Sequence, residues 1–588
     1  MGYRKLTDKE VAVMKAAGCR AADWNSVEVA WGVESFADRI RETEFSGTVR
    51  LGRLGGEFLQ PSGVSVPCGL SRCTLHNVTL GDGCAARNVR GAVANYSIGD
   101  GCLIDDVHEL VTEGESLFGN GTVAPVLSEA GGREVVITEA LSSQTAWLMT
   151  MDGEVAGRVR NLFSVYADSL KSSCGAVGNG SVIRNCGILR NLRLGEASVV
   201  EGAAFLSEGT VLSSREAPSR IGTGVRAANF IAAEGSVIED GADVKNCFIG
   251  QACHMGGGFS AENSVFFADC VFEKGEACSA FAGPFSVSHH KSTLLIAGMF
   301  SFFNAGSGSN QSNHMYKTGP VHYGRLGRGC TLASGSHILW PMTAGPFTLV
   351  MGHIVSHPDT SAFPFSYLIE REGKTWLYPG VNLFKAGTAR SFEKWPARDA
   401  RKAPFRDMVS FGQLNPYTAG LMAGALSVLE GLRASGVREV YAYGGAFVKA
   451  KDLEKGLGCY RTGILACMEK YLQDCDPSEV IAPAASAYVP EKWCDAGGLI
   501  VPESEIAALE EGILSGKTGS PSELGAAFAG MASRLPEQER NWAQGMISSL
   551  FPGRKVSDAL VECAAASEKI RAAVAEDAER DRKMAGIL

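Results

Sequence analysis

The chain has no surplus of positive charge. Its 588 residues carry 55 Lys+Arg against 64 Asp+Glu, a formal net charge of −9. That removes the general electrostatic reason to expect nucleic acid or an anionic membrane as a partner. The longest apolar stretches, such as 292–303, fall short of the roughly 20 residues a membrane-spanning helix needs. The opening MGYRKLTDKEVAVMKAAG lacks the apolar core of a signal peptide, and Leu6 breaks the myristoylation pattern. The 17 cysteines contain no CxxC pair and read as small buried hydrophobes in a reducing compartment. A cytoplasmic protein is expected. Catalytic signatures are also missing. There is no GxxxxGK[ST] loop, no HExxH, no Cys/His finger spacing and no GxSxG elbow. GAVGNG at 175–180 matches a dinucleotide fingerprint only loosely and opens a coil instead of a helix.

Glycine, by contrast, is abundant, with 71 residues spread along the chain, above the average usage of about 7%. It points to many tight turns, and a repeat accounts for them. LGDGCAARNV at 80–89 recurs as IGDGCLIDDV at 98–107, an offset of 18 residues or three sixes. Val182, Ile188, Leu194, Val200, Leu206 and Leu212 place an aliphatic residue at every sixth position. A period of six fits neither an α-helix nor a two-residue strand alternation. It fits a coil of three short strands, each giving one inward aliphatic residue and a turn rich in Gly, Asn or Asp. This is the hexapeptide form of the parallel β-helix, so a mainly β fold is expected.

The coils are interrupted. Residues 1–45 carry Thr7 three positions before Glu10, which suits a capping box, and read as a helical cap. A first β-helix segment covers 46–124. Residues 125–171 lose the six-period and place Leu141, Leu148, Val155, Val159, Leu162 and Val165 at helical spacing, an inserted helical excursion. The main β-helix covers 172–404, with SREAPSR at 214–220 thrown out as a loop. Residues 405–588 read as an α-helical domain, with Leu421, Ala425, Val428, Leu429 and Leu432 in helical register.

The stretches SHHKSTLLIAGMFSFFNAGSGSNQSNHMYKTGPVHYG, DTSAFPFSYLIE and KWPARDARK resemble an uncharacterised family of long bacterial β-helix proteins, over nearly the whole chain. That resemblance implies a fold and no established reaction. More broadly, the coils resemble the left-handed hexapeptide β-helices of sugar and nucleotide-sugar acyltransferases. The implied handedness is an exception to the right-handed crossover rule. The best-known of those enzymes are trimers with sites between subunits. The large insertions here leave the oligomeric state open, a homo-oligomer included.

Chemistry is concentrated in one region. His289, His290, His314, His322, His337, His353 and His357 make seven of the chain's 10 histidines within 69 residues. Histidine titrates near neutral pH and serves as a general base or acid. The acyltransferase resemblance implies that one of His289, His290 or His314 would take the proton of an acceptor hydroxyl or amine as it attacks a thioester. Lys291, Asn304, Asn310, Asn313, Tyr316, Lys317 and His322 supply hydrogen bonds suited to a sugar or nucleotide phosphate. A basic stretch, RSFEKWPARDARK at 390–402, adds Arg390, Lys394 and Arg398 around Trp395. It reads as an exposed connector able to form an anion site, with Trp395 as a stacking face.

The expected function is therefore an acyl-type transferase acting on a nucleotide-sugar or sugar phosphate, with no metal and the donor left open, acyl-CoA being one candidate. One alternative is an Mg²⁺-dependent nucleotidyl or phosphosugar transferase drawing on Asp359 and the 390–402 segment. The other is a non-catalytic scaffold or ligand sensor, in which the histidines are polar rungs stacked on asparagine.

Overall fold

Strand pairing sets the length of a coil. In the computed structural model, which describes residues 2–32, 34–59, 62–312, 319, 322–484 and 489–586, Ile183 lies opposite Val200, Leu189 opposite Leu206 and Leu194 opposite Val211. Each step is 17 residues, the same step that separates the stacked turn asparagines Asn246 and Asn263. Three inward residues per coil are therefore spaced six, five and six apart. A strict six-period drifts out of this register. Of the expected ladder, Leu194, Val200 and Leu206 point inward, whereas Val182, Ile188 and Leu212 are only partly buried. Ile183, Leu189 and Val211 take the inward places instead.

The coils stack into a parallel β-solenoid whose core is a column of aliphatic and aromatic side chains. Turns are held by left-handed asparagines. Asn229, Asn246 and Asn263 have φ of 53°, 53° and 51°, a region Asn tolerates better than most residues. Each carboxamide donates to the next at 2.9 Å.

From about residue 280 the solenoid presents three faces. The first carries the register Val287–Asn304–Thr331–Leu349–Tyr367. The second carries Leu294–Asn310–His337–His353. The third carries Met299–Arg325–Thr343–Asp359. Between the third and first faces runs an aromatic corner. Phe285, Phe302, Phe347 and Phe365 all have φ between 49° and 60°, with Phe285 stacked on Phe302 and Phe347 on Phe365. Gly329 (φ +72°) occupies the turn between Phe302 and Phe347, and the Phe347 ring lies where its Cβ would be, 2.1 Å away.

Helix α1 (Asp8–Ala16) closes the N-terminal end, with Thr7 and Glu10 forming the capping box. Residues 1–45 are not a helical cap throughout, because α1 is followed by short strands that pair with the first long strand, Ile40–Leu51. The insertion holds a hairpin, Thr122–Pro125 with Glu134–Ile137, then α2 (Ser143–Met149) and α3 (Glu154–Asp168). The buried stripe of α3 is Val155, Ala156, Val159, Phe163 and Ala167. Val165, expected in that stripe, is 61% exposed.

The stretch expected as an exposed connector is helical. Helix α4 (Ala386–Arg398) contains Arg390 through Arg398, with Pro396 in its last turn. Helices α5 (Pro416–Ala434), α6 (Ala450–Leu472), α7 (Glu503–Leu514), α8 (Pro521–Leu550) and α9 (Val556–Met584) follow. Two hairpins lie among them. Val440–Tyr443 with Ala446–Lys449 extends the last sheet through Trp376 and Phe447, covering the solenoid's C-terminal edge. Trp493–Ala496 with Leu499–Pro502 packs with the insertion, α7 and α8 in a second core.

Candidate functional site

Helix α4 lies across the first face and encloses a cleft of about 690 Å³. Its floor is the first-face register from Val287 to Tyr367. Its roof is Thr388, Arg390, Ser391, Lys394 and Arg398, and its far end is Asp577 and Asp581 of α9. Six residues singled out from the sequence meet here: His289, Asn304, Arg390, Lys394, Trp395 and Arg398.

The geometry follows from spacing. Arg390, Lys394 and Arg398 recur every four residues and so share one side of α4. Among the described residues none of the three forms an ion pair. The proximity of Arg390, followed by burial and then Arg398, pushes the Lys394 ammonium below its usual value. Lys385, just before the helix, is instead bound to Asp577 at 2.5 Å. The cleft thus has an uncompensated basic roof and an acidic end. Between them, Tyr367 has its hydroxyl pushed up to about 12 by burial, then by Asp577 and Asp581.

His289 leans over the rim. Burial, and then the neighbouring His290 ring at 4.3 Å, hold its imidazole below the ordinary histidine value. At neutral pH it is an unprotonated base beside a basic wall.

The remaining expected residues go elsewhere. His290 and Lys291 are exposed on the turn beyond His289 and do not line the cleft. Asn310 lies on the second face in register with His337 and His353, an asparagine–histidine rung away from the cleft. The six described histidines of this group therefore do not converge on one place. His322 precedes Tyr323, whose hydroxyl accepts from Arg133 of the insertion at 2.8 Å, and it too is off the cleft. Asn313, His314, Tyr316 and Lys317 lie outside the described residues. Asp359, on the third face, accepts from the backbone and hydroxyl of Ser361 and acts as a turn residue.

Trp395 is not an open stacking face. It is 9% exposed and packs edge-on against Phe302 and Phe392, with ring centroids at 4.8 and 4.9 Å. It anchors α4 to the aromatic corner and seals the cleft beneath the basic row. Arg401, from the same sequence stretch, is structural. It chelates Asp399 and donates to the Asp407 carbonyl.

Sequence reasoning missed Lys385, Tyr367, Asp577 and Asp581. Asp577 and Asp581 are four apart near the end of an alanine-rich helix, and no local pattern linked them to residues 192 positions earlier.

Comparison with known proteins adds a family and no activity. An "Uncharacterized protein" of Treponema pallidum (strain Nichols) is similar to this chain, 25% identical over 457 residues, which is 73% of this chain and 61% of that protein. The chain thus spans less than two thirds of that relative's length. Residues 3–433, from α1 through the solenoid and α4 to the last turn of α5, match the domain of unknown function DUF4954, and the chain belongs to that family.

Proposed function

We propose that the cleft under α4 binds a phosphorylated small molecule, a sugar phosphate or nucleotide-sugar, and that the protein is an acyl-type transferase acting on it. The observation that supports this reading is the unpaired row Arg390–Lys394–Arg398 above a floor bearing His289 and Asn304. Closely spaced cations without counter-ions repel one another, and a phosphate dianion relieves that repulsion through charge-assisted hydrogen bonds. His289, unprotonated at neutral pH, takes the proton from an acceptor hydroxyl or amine as that group attacks the donor thioester carbonyl. The new C–O or C–N bond forms, the C–S bond breaks, and the thiolate leaves with the proton returned by His289.

This reading takes the coils as kin to the left-handed hexapeptide-repeat transferases and leaves a homo-oligomer open. It places the protein in a reducing cytoplasm, supported by 17 cysteines that are all free thiols. The Mg²⁺-dependent alternative loses Asp359 from its cleft.

The test is calorimetry and thermal shift with UDP- and GDP-sugars, sugar phosphates, CoA and acetyl-CoA, each with and without Mg²⁺. Wild type is compared with Lys394→Ala, Arg390→Ala and His289→Ala. A ligand at a hundred times its Kd adds about 2.7 kcal/mol to stability. The reading expects a phosphorylated sugar to bind, with affinity about tenfold weaker in either cation variant. His289→Ala should retain binding and lose turnover. No binding by any phosphorylated ligand, or binding indifferent to Arg390 and Lys394, sinks it in favour of the scaffold. A strict Mg²⁺ requirement favours the nucleotidyl alternative.

A further inference from the structure

The aromatic corner separates the cleft from a second cavity. Phe302 and Gly329 line the cleft, while their chain neighbours Ser301 and Arg328 line a cavity of about 400 Å³ on the third face. Its solenoid wall is Met299, Phe300, Arg325, Leu326 and Thr343. Its roof comes from far along the chain: Tyr417 and Leu421 of α5, and Trp493 and Asp495 of the second hairpin. A volume in this range is that of a small-molecule site.

Hydrogen-bond donors around this cavity outnumber their acceptors. The Arg328 side chain is 1% exposed. Its Nη2 donates to the Ser410 carbonyl, but Nε and Nη1 have no acceptor. Asp495 stands 3.7 Å from Nη1, close enough for charge attraction and too far for a hydrogen bond. One guanidinium face rests on Phe302, 4.4 Å from its centroid. The Trp493 indole Nε1 is likewise buried without an acceptor. Arg325 forms no ion pair among the described residues. Burial and then the nearby Arg133 act to lower its pKa, and Arg133 is itself engaged by Asp152 at 2.5 Å. A buried donor left unsatisfied costs about 1–3 kcal/mol, and native structures rarely leave several around one space.

The charge balance fixes the missing partner. Arg325 and Arg328 face one half-buried carboxylate, Asp495, while Glu503 is exposed at the mouth and solvated there. The surplus is a single positive charge. The side chains facing the space around the arginines, Trp147, Phe281, Met299 and Leu421, are apolar. A phosphate dianion would exceed the charge and leave those side chains unused, whereas a neutral apolar ligand would leave Arg328 unsatisfied.

We propose that this cavity binds a small organic carboxylate with an apolar body, its carboxylate accepting from the free nitrogens of Arg328 and its body lying against Trp147, Phe281, Met299 and Leu421. The site is independent of the cleft under α4 and of the reaction assigned there.

The test uses the full chain and ligand-observed NMR with phenylacetate, 4-methylpentanoate and hexanoate, each beside its neutral amide. At least one carboxylate should bind with Kd below about 1 mM, and its amide about tenfold more weakly or not at all. Arg328→Gln should weaken the carboxylate about tenfold or more. Because that substitution removes a buried charge and can unfold the chain, Leu421→Trp serves as a second variant. It fills the cavity from α5 without touching a charge, and should abolish binding while the thermal transition is retained. Lys394→Ala, in the other cleft, should leave carboxylate affinity unchanged. The proposal is overturned if no carboxylate binds below about 1 mM, if the amides bind equally well, or if binding survives Leu421→Trp.

Discussion

Asp577 holds the Lys385 ammonium at 2.5 Å with one carboxylate oxygen and accepts the backbone N–H of Ala386 at 3.2 Å with the other. One side chain of α9 thereby caps the N-terminus of α4 and neutralises the cation beside it. The cap satisfies a donor that the first helical turn otherwise leaves open.

Asp577→Ala should therefore loosen α4. The expected loss is about 2 kcal/mol, from the cap and the partly buried ion pair together. Hydrogen exchange should quicken at the α4 amides and stay unchanged in the coils around Leu189 and Leu206. Asp577→Asn, which keeps an acceptor for Ala386 but not the charge, should fall between wild type and alanine. Equal α4 protection in all three proteins would show that the helix is held by Trp395 alone.

A pH dependence follows from Asp269, which is buried under the chain leaving α4 and accepts the Ala400 N–H at 2.9 Å. Burial, reinforced by the adjacent Asp399, raises its carboxyl to about 7 against the pull of the Ala400 N–H and Arg401. An unfolded aspartate titrates near about 3.9. Between these values the folded protein holds more protons than the unfolded chain, so stability is greatest below the window and falls as pH rises through it. Asp269→Asn keeps an acceptor for Ala400 and removes the titration. Thermal midpoints should then converge near about pH 4 and favour the variant above about pH 7. A wild-type midpoint flat across that window would contradict the assignment.

Gly329 and Gly308 have nearly the same backbone, φ +72° and +70°. Gly308 faces open space, whereas a Cβ on Gly329 would meet the Phe347 ring. Gly308→Ala should cost about 1 kcal/mol of left-handed strain. Gly329→Ala should cost about 2–4 kcal/mol, because the corner must also shift. Denaturant unfolding of both variants, followed by tryptophan fluorescence, measures the difference. Equal losses would mean that the corner is free to adjust.

The solenoid was legible because its physics is local. An inward aliphatic residue and a left-handed turn recur within a few residues, and every coil repeats the signal. The sequence shows a strict period of six where the coil steps six, five and six, so the ladder is off by one residue at three positions. A six-period and a six-five-six period agree at Leu194, Val200 and Leu206 and part at Val182, Ile188 and Leu212, and at Val182 and Leu212 a hydrophobic residue also suits the packing outside the column. Histidine density marks the stretch of chain that contains the cleft floor and overstates how many histidines reach it. Among the described histidines only His289 lines the cleft, while His337 and His353 follow the strand register onto another face. In the sequence the row Arg390, Lys394 and Arg398 stands out as charge and not as a helix, because Pro396 and the flanking arginines suggest a loop. Trp395 looked available for the same reason, and the Phe302 and Phe392 rings that bury it belong to packing no linear pattern displays. Asp577 was invisible, since nothing in an alanine-rich amphipathic helix announces what its last turns will touch.

The pairing of Lys385 with a residue 192 positions downstream also orders events during synthesis. Each coil can stack on its predecessor once about 17 further residues have left the ribosome. The basic row on α4 emerges well before its acidic counterpart, so the nascent chain carries an open, unneutralised Lys385 and an uncapped helix until α9 is nearly finished. Completion of the cleft is thus a late step gated by translation itself, and a ribosome stalled within α9 would hold a finished solenoid with an unfinished pocket.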